Sequence, residues 1–129
     1  MATLQNVCME FLQEEGYRPS IDDDGDIMFK SQGSTLFICT YNDDDVYLKV
    51  MLPGFWSIES DQERAKVYYV ANKVASEYKV AKVNVIKDNT YASCEIFISA
   101  DDPQIKRIVG RLINILLGVR SDFAQYMNQ

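Results

Sequence analysis

The sequence contains no histidine, and this absence excludes several kinds of active site. Ser-His and Cys-His nucleophile pairs, imidazole general bases and zinc sites with histidine ligands all need that side chain. The three cysteines, Cys8, Cys39 and Cys94, are too few and too widely spaced for an all-cysteine zinc site. Glycine-rich phosphate-binding motifs are also missing. We therefore predict a protein that is not an enzyme and uses no cofactor or metal ion.

Long apolar runs are missing as well. No stretch approaches the roughly 18 consecutive apolar residues that a membrane helix requires, and the N-terminus lacks the basic and apolar segments of a signal peptide. An odd number of cysteines without close spacing is typical of free thiols in a reducing compartment. We expect a cytoplasmic protein that does not bind membranes.

Positive charge is scarce relative to negative charge. Thirteen Lys and Arg residues oppose nineteen Asp and Glu residues, which gives a net charge of −6 and a pI near 4.6. Binding to nucleic acid needs clustered basic side chains, so we predict no nucleic-acid partner. A partner that carries positive charge is favoured instead.

The chain has enough apolar residues for one ordinary core. Its 129 residues are 47% hydrophobic, which predicts a single domain over residues 1–129. Hydrophobic periodicity and turn residues predict the order α-β-β-β-α-β-β-α of an α+β domain, with helices packed on an antiparallel sheet. The helices are predicted at 3–15, at 60–78 and after Pro103, and the strands at 27–30, 35–41, 46–52, 80–86 and 91–99.

Three boundaries in this pattern rest on particular residues. Pro53 and Gly54 are expected to end the third strand, and Asp102 or its neighbour is expected to cap the third helix with Pro103 as the first helical residue. Residues 17–21 contain a proline, which allows only an edge strand or an extended lead-in.

The second and third strands have two apolar faces. Alternation places Leu36, Ile38, Val46, Leu48, Val50 and Leu52 on the core face. The opposite face is unusually rich in aromatic residues and Met, so it is either covered by another part of the chain or available to a partner. Phe55 and Trp56 follow the third strand and are interpreted first as anchors of the second helix. The candidates for partner binding are Phe37, Tyr41, Tyr47, Met51, Phe55 and Trp56.

An aspartate-rich segment at residues 22–26 has two interpretations. Gly25 among aspartates is typical of a hairpin turn, which we favour. The alternative is a calcium loop, but Ser20 and Ser31 would then occupy its first and twelfth ligand positions, and the bidentate Glu of the twelfth position would be missing. A carboxylate enzyme that binds Mg²⁺ or Ca²⁺ at this segment remains a minor possibility.

The third helix carries more apolar residues than one sheet face requires. Small residues on its flank permit close approach of another element. A homodimer interface would explain both features, and its candidates are Gly110, Ile113 and Leu117.

Several sequence segments together resemble the YbjN-like family of small bacterial proteins, which has the type III secretion chaperone-like fold. The segments are Phe11-Leu12-x-x-x-Gly16-Tyr17, Asp24-Gly25-Asp26-Ile27-x-Phe29-Lys30, Leu52-Pro53-Gly54-Phe55-Trp56, Ala71-Asn72-Lys73-Val74 and Tyr78-Lys79-Val80-Ala81-Lys82-Val83. The resemblance implies an antiparallel sheet, a dimer and a small acidic cytosolic protein. Chaperones of this fold hold a partner segment in an extended form along apolar surface.

These observations favour a non-enzymatic, chaperone-like or regulatory module that binds another protein through apolar surface. Two alternatives stay open beside it. A regulatory module for a small ligand would require a deep apolar pocket between helix and sheet. An acidic immunity-type protein would neutralise a basic toxin with its aspartate clusters.

Overall fold

The computed structural model describes residues 2–129, in which three helices pack together on a six-stranded antiparallel sheet. The spatial order of the strands is β1-β2-β3-β4-β6-β5. The predicted α+β class and order are confirmed, with β1 as the short edge strand expected near Pro19. The elements are α1 (Leu4–Glu14), β1 (Ser20–Ile21), β2 (Ile27–Ser31), β3 (Ser34–Tyr41), β4 (Asp44–Ser57), α2 (Asp61–Glu77), β5 (Ala81–Ile86), β6 (Asn89–Phe97) and α3 (Ile105–Met127).

The ends of α1 and α2 follow from local hydrogen bonding. The N–H of Glu63 donates to the Ser60 hydroxyl at 3.1 Å, and the Glu63 carboxylate accepts the N–H of Glu59 at 2.6 Å. This pair closes the predicted capping box, with Glu63 reaching one residue further back than the usual partner. Gly16 ends α1 in a left-handed conformation with φ of +90°, which glycine adopts without strain.

The core lies between the helices and one face of the sheet. Alternate residues of β2, β3, β4 and β6 point into it, as the period of two in a strand requires. These side chains are almost completely buried, and each contributes roughly 1.5–3 kcal/mol when it is fully removed from water. They include Ile27, Phe29, Leu36, Ile38, Leu48, Val50, Leu52, Ala92 and Cys94, beneath Leu12, Val67, Leu116 and Phe123 of the helices.

Strand β4 is longer than the sequence pattern predicts. Pro53 and Gly54 were expected to end it, but β4 continues through both residues to Ser57. The register with β3 stops at Met51, so the last part of β4 pairs with β6 alone, where the missing N–H of a proline is tolerated. The register also shifts between Pro53 and Ser57, and Gly54 has a φ of +61°. The two residues therefore bend the strand without ending it.

Helix α3 begins later than the sequence pattern predicts. The Asp102 carboxylate accepts the N–H of Gln104 at 2.8 Å, which forms a separate turn around Pro103. The first helical residue is Ile105, and the Gln104 side chain does not cap the helix. Aspartate therefore stabilises the turn before the helix, a role for which its short side chain is well suited.

Val46 was predicted to face the core but is exposed. The register between β3 and β4 shifts at Thr40 and Tyr41, so the alternation of β4 is inward only from Leu48 onward. No helix within residues 2–129 has both the length and the apolar character needed to cross a membrane.

Candidate protein-binding face

The side of the sheet opposite the helices carries a contiguous set of large apolar side chains, which we call the outer face. Because Leu36 and Ile38 point into the core, Phe37 and Cys39 must point the other way. None of the apolar side chains of the outer face packs against the core cluster of residues 2–129. The chain therefore does not cover this face with its own helices. The outer face comprises Met28, Phe37, Cys39, Tyr41, Tyr47, Lys49, Met51, Glu95 and Phe97.

Strand pairing aligns these side chains in rows across the sheet. Met28 of β2 lies opposite Phe37 of β3, and Phe37 lies opposite Met51 of β4. Directly opposed side chains in antiparallel strands have Cβ atoms about 4.5–5.5 Å apart, so these three form one apolar strip. The next row is polar at its centre, where Lys49 of β4 lies opposite Glu95 of β6.

The third row is aromatic, and we call Tyr41, Tyr47 and Phe97 the aromatic cluster. The ring centroids of Tyr41 and Tyr47 are 5.6 Å apart, and those of Tyr47 and Phe97 are 6.2 Å apart. Phe97 is 81% exposed and Tyr41 is 41% exposed. Exposed aromatic residues grouped in this way are typical of protein interfaces.

Electrostatics at the aromatic cluster are dominated by carboxylates. Partial burial raises the pKa of both tyrosines, and nearby negative charge raises it further. For Tyr47 the nearest such charge is Glu95, and for Tyr41 both Asp26 and Glu95 contribute. The phenol groups therefore stay protonated and can donate hydrogen bonds over a wide pH range.

Cys39 lies beneath the outer side chains of the same face. Its Sγ atom is 3.9 Å from Sδ of Met51. Burial raises the pKa of the Cys39 thiol to about 12, with a smaller contribution from the negative charge of Asp26. Because the thiolate is the reactive form, this thiol is a packing group and not a nucleophile.

Four of the six predicted binding residues lie together on the outer face, whereas Phe55 and Trp56 lie on the opposite side. Both of these rings pack against Phe123 of α3, with centroid separations of 5.1 and 5.7 Å. They were interpreted as anchors for α2, but their aromatic contacts are with α3. They belong to the core packing and are not part of the outer face.

The three residues predicted for a dimer interface are used inside the chain. Ile113 is 2% exposed and Leu117 is 8% exposed, both within the core cluster. A Cβ atom added to Gly110 would lie 3.1 Å from Cζ of Phe11 in α1, so this glycine permits close packing of α1 on α3. The extra apolar residues of α3 are thus explained by its contacts with α1, α2 and the sheet.

The aspartates at residues 22–26 form the predicted turn. The Asp22 carboxylate accepts the N–H groups of Asp24 and Asp26, each at 3.0 Å. Carboxylate oxygens of these three residues lie within 4.8 Å of one another. Ser20 and Ser31, which a calcium loop would use as its first and twelfth positions, lie in β1 and β2. The segment is therefore a connection within a hairpin and does not have the geometry of a twelve-residue calcium loop.

Two depressions of the surface are large enough to hold a small ligand. One, of about 320 Å³, lies beside Trp56, Lys66 and Met127, and the other, of about 230 Å³, lies along the first turns of α3. Both are open to solvent and bordered by charged side chains. Neither matches the deep apolar pocket between helix and sheet that a small-ligand module would need.

Two members of the outer face, Met28 and Phe97, were not among the predicted binding residues. Both could have been found from the alternation of their strands. Ile27 and Phe29 are inward, which assigns Met28 outward, and inward Ile96 assigns Phe97 outward in the same way. Their pairing with Phe37 and Tyr47, however, depends on strand register, which the sequence alone does not specify.

Known proteins were compared with this chain by sequence and by structure. No protein-family model matches the chain, and no curated protein sequence matches it. An uncharacterized protein from Methanothermobacter thermautotrophicus has a similar structure, with a TM-score of 0.67, 12% sequence identity and 96% of each chain covered. The Yersinia pestis type III secretion chaperone SycH, solved in complex with a stable fragment of YscM2, has a TM-score of 0.55 and 15% identity. That alignment covers 91% of this chain and 99% of SycH.

The chain has the chaperone-like fold that its sequence segments suggested. At identities of 12–15% the likeness establishes the fold alone, because one fold supports many functions. What the chain does must therefore be argued from its own surface.

Proposed function

We propose that this protein is a non-enzymatic, chaperone-like module that holds a segment of another protein on its outer face. The observation that carries this proposal is the half-buried apolar strip of Met28, Phe37 and Met51, which no helix covers, together with the aromatic cluster further along the same face. Apolar surface that is left uncovered in this way is typical of protein interaction sites. A segment lying across both parts would also cross the row of Lys49 and Glu95 between them.

Structural likeness supports the same function. SycH was solved with a bound protein fragment, and its fold covers nearly the whole of this chain. Membership of the YbjN-like family is part of the proposal and rests on the sequence segments named above. A cytoplasmic location is also proposed, because Cys8, Cys39 and Cys94 are free and buried, as expected in a reducing compartment.

Co-purification from native extract tests the proposal when it is done with paired variants. Phe37→Thr and Met51→Thr replace outer-face side chains by a residue that favours strands, so the sheet should remain intact. Tyr69→Ala is the matched control, because Tyr69 is 68% exposed on α2, away from the outer face. We expect a retained protein that both outer-face variants lose and the control keeps. A partner retained equally by all three variants would contradict binding at this face.

We also propose that the protein forms a homodimer. Ile113 and Leu117 are buried and Gly110 packs against Phe11, so we place the interface at other residues. The outer edge of β5 pairs with no other strand in residues 2–129, and the neighbouring side chains of Val80 and Ile86 are exposed. A six-residue edge without a proline is suited to pairing with a second copy.

Sedimentation equilibrium of the wild type and of Ile86→Lys tests the proposed homodimer. The wild type should be dimeric and the variant monomeric, and a monomeric wild type would contradict the proposal.

A further inference from the structure

The aromatic cluster lies at the most acidic end of the sheet. Strand β2 begins, β3 ends, β4 begins and β6 ends at this end, as their registers show. Seven aspartates lie at this end, in the β1–β2 connection and around the β3–β4 turn, and they alone account for more than the net charge of −6. None of the seven forms an ion pair with a basic side chain of the described chain. They are Asp22, Asp23, Asp24, Asp26, Asp43, Asp44 and Asp45.

Glu95 brings a further carboxylate onto the outer face itself. It lies in β6 two residues before Phe97, so both side chains point outward. Its Oε1 atom accepts from Nζ of Lys82 at 3.2 Å, in a pair that is partly open to solvent. The Tyr47 hydroxyl also lies near this carboxylate, whose charge raises the pKa of Tyr47, and a carboxylate has capacity for several donors. A second cation can therefore approach Glu95 from the side of the aromatic cluster.

We propose that the partner segment held on the outer face places an arginine or lysine side chain over the aromatic cluster, beside Glu95 and the aspartates of the two connections. This proposal rests on the proposed function and adds the chemistry of the partner. Ring faces attract cations, and carboxylates at the rim strengthen that attraction and accept hydrogen bonds from the same group. Arginine fits best, because its planar group can stack on a ring while it bonds a carboxylate.

Charge favours a different protein over a second copy at this site. A second copy carries the same net charge of −6, so approach of its acidic end would be opposed by like charge. A basic and apolar segment would instead be steered toward the acidic end from a distance, an effect that weakens as salt increases. Its apolar side chains would then pack along Met28, Phe37 and Met51.

A selection from random twelve-residue peptides displayed on phage, with the full-length protein as bait, tests the proposal. We expect bound peptides that combine apolar residues with at least one arginine or lysine, and that bind Phe37→Thr and Phe97→Ser protein more weakly than wild type. Apolar peptides without a basic residue that depend on Phe37 would overturn this inference and leave the proposed function standing. Failure to select any peptide dependent on Phe37 would overturn both.

The basic residue itself is tested with one selected peptide and its citrulline version, which keeps the shape of arginine and removes the charge. Wild-type protein should bind the arginine peptide roughly fivefold more tightly than the citrulline peptide, from one exposed charge pair and one cation–ring contact. Glu95→Gln should remove most of this ratio. Glu15→Gln is the control, since Glu15 is exposed at the end of α1 on the helix side, and it should leave the ratio unchanged.

Equal affinity for the two peptides would overturn the proposal. So would an unchanged ratio in Glu95→Gln, because the cation would then lie elsewhere. If the wild-type protein self-associates and Phe97→Ser abolishes this, a second copy occupies the outer face. That result would also overturn the proposal. Glu95→Gln and Phe97→Ser alter exposed side chains, so the fold of each variant can be verified by unfolding in urea before binding is measured.

Discussion

Both faces of the sheet carry large apolar side chains, but the two faces have different neighbours. On the helix side Phe123 is fully buried and contacts two other rings, whereas on the outer face Phe97 is 81% exposed although two tyrosines line up beside it. The same strands supply both faces through alternate residues. The comparison shows that hydrophobicity alone does not locate the core, and that the position of the helices decides which face is filled and which remains available.

The largest loss of stability is expected from truncating an aromatic residue on the helix side. Phe123→Ala should lower the free energy of unfolding by about 3–5 kcal/mol, because it leaves a cavity under Phe55 and Trp56. Urea unfolding measures this value. A loss below about 1 kcal/mol would mean that the helix side is not packed as described.

The cysteines of the two faces should differ in the rate at which they react with a thiol reagent. Burial raises the pKa of Cys8, Cys39 and Cys94 alike to about 12, so acidity does not distinguish them. Access does, because Cys39 points to the outer face, while Cys8 of α1 and Cys94 of β6 belong to the core between the helices and the sheet. We expect Cys39 to react roughly a hundredfold faster with a neutral disulfide reagent, since the other two need a larger opening of the structure. Single-cysteine variants measure each rate, and equal rates would mean that the outer face is as closed as the core.

A pH effect is expected from the hydrogen bond between Tyr78 and Asp122 on the helix side. The Tyr78 hydroxyl donates to Asp122 at 2.7 Å, and burial together with this carboxylate raises its pKa to about 12. Because the folded pKa exceeds the ordinary value of about 10, the stabilisation is complete below pH 10 and is lost as pH rises toward 12. Tyr78→Phe should therefore cost about 1.5 kcal/mol at pH 8 and much less near pH 12. Urea unfolding at both pH values gives the comparison, and a cost independent of pH would contradict this assignment.

The smallest effect is expected on the outer face. Phe97→Ser should change the free energy of unfolding by no more than about 0.5 kcal/mol, because the ring is mostly in water before and after the change. Binding of a hydrophobic dye to the native protein should fall at the same time. A destabilisation comparable to that of Phe123→Ala would mean that the aromatic cluster belongs to the core.

Much of the fold follows from local signals in the sequence. The capping box at Ser60 and Glu63 sets the start of α2, and Gly16 ends α1, because both act within a few residues. The continuation of β4 through Pro53 was not predictable, since it depends on β3 ending its pairing at Met51. Long-range register decides that point, and no local pattern encodes it.

The composition of the outer face was predictable from the sequence, but its extent was not. Phe37, Tyr41, Tyr47 and Met51 stand out in the sequence because aromatic and Met residues occupy the side opposite the aliphatic core. Phe97 joins them only through the pairing of β4 with β6, two strands separated in sequence by α2 and β5. The dimer candidates on α3 are the opposite case. They stood out in the sequence as small or apolar residues, but packing inside the chain already accounts for them.

The two-residue period of β4 has an evolutionary consequence. Leu48, Val50 and Leu52 are constrained by the packing of the helices, while Tyr47, Lys49 and Met51 between them are free of it. Mutations at the outward positions can therefore change the surface that we propose binds a partner, while the inward positions maintain the fold. The proposed partner could then change without loss of the core.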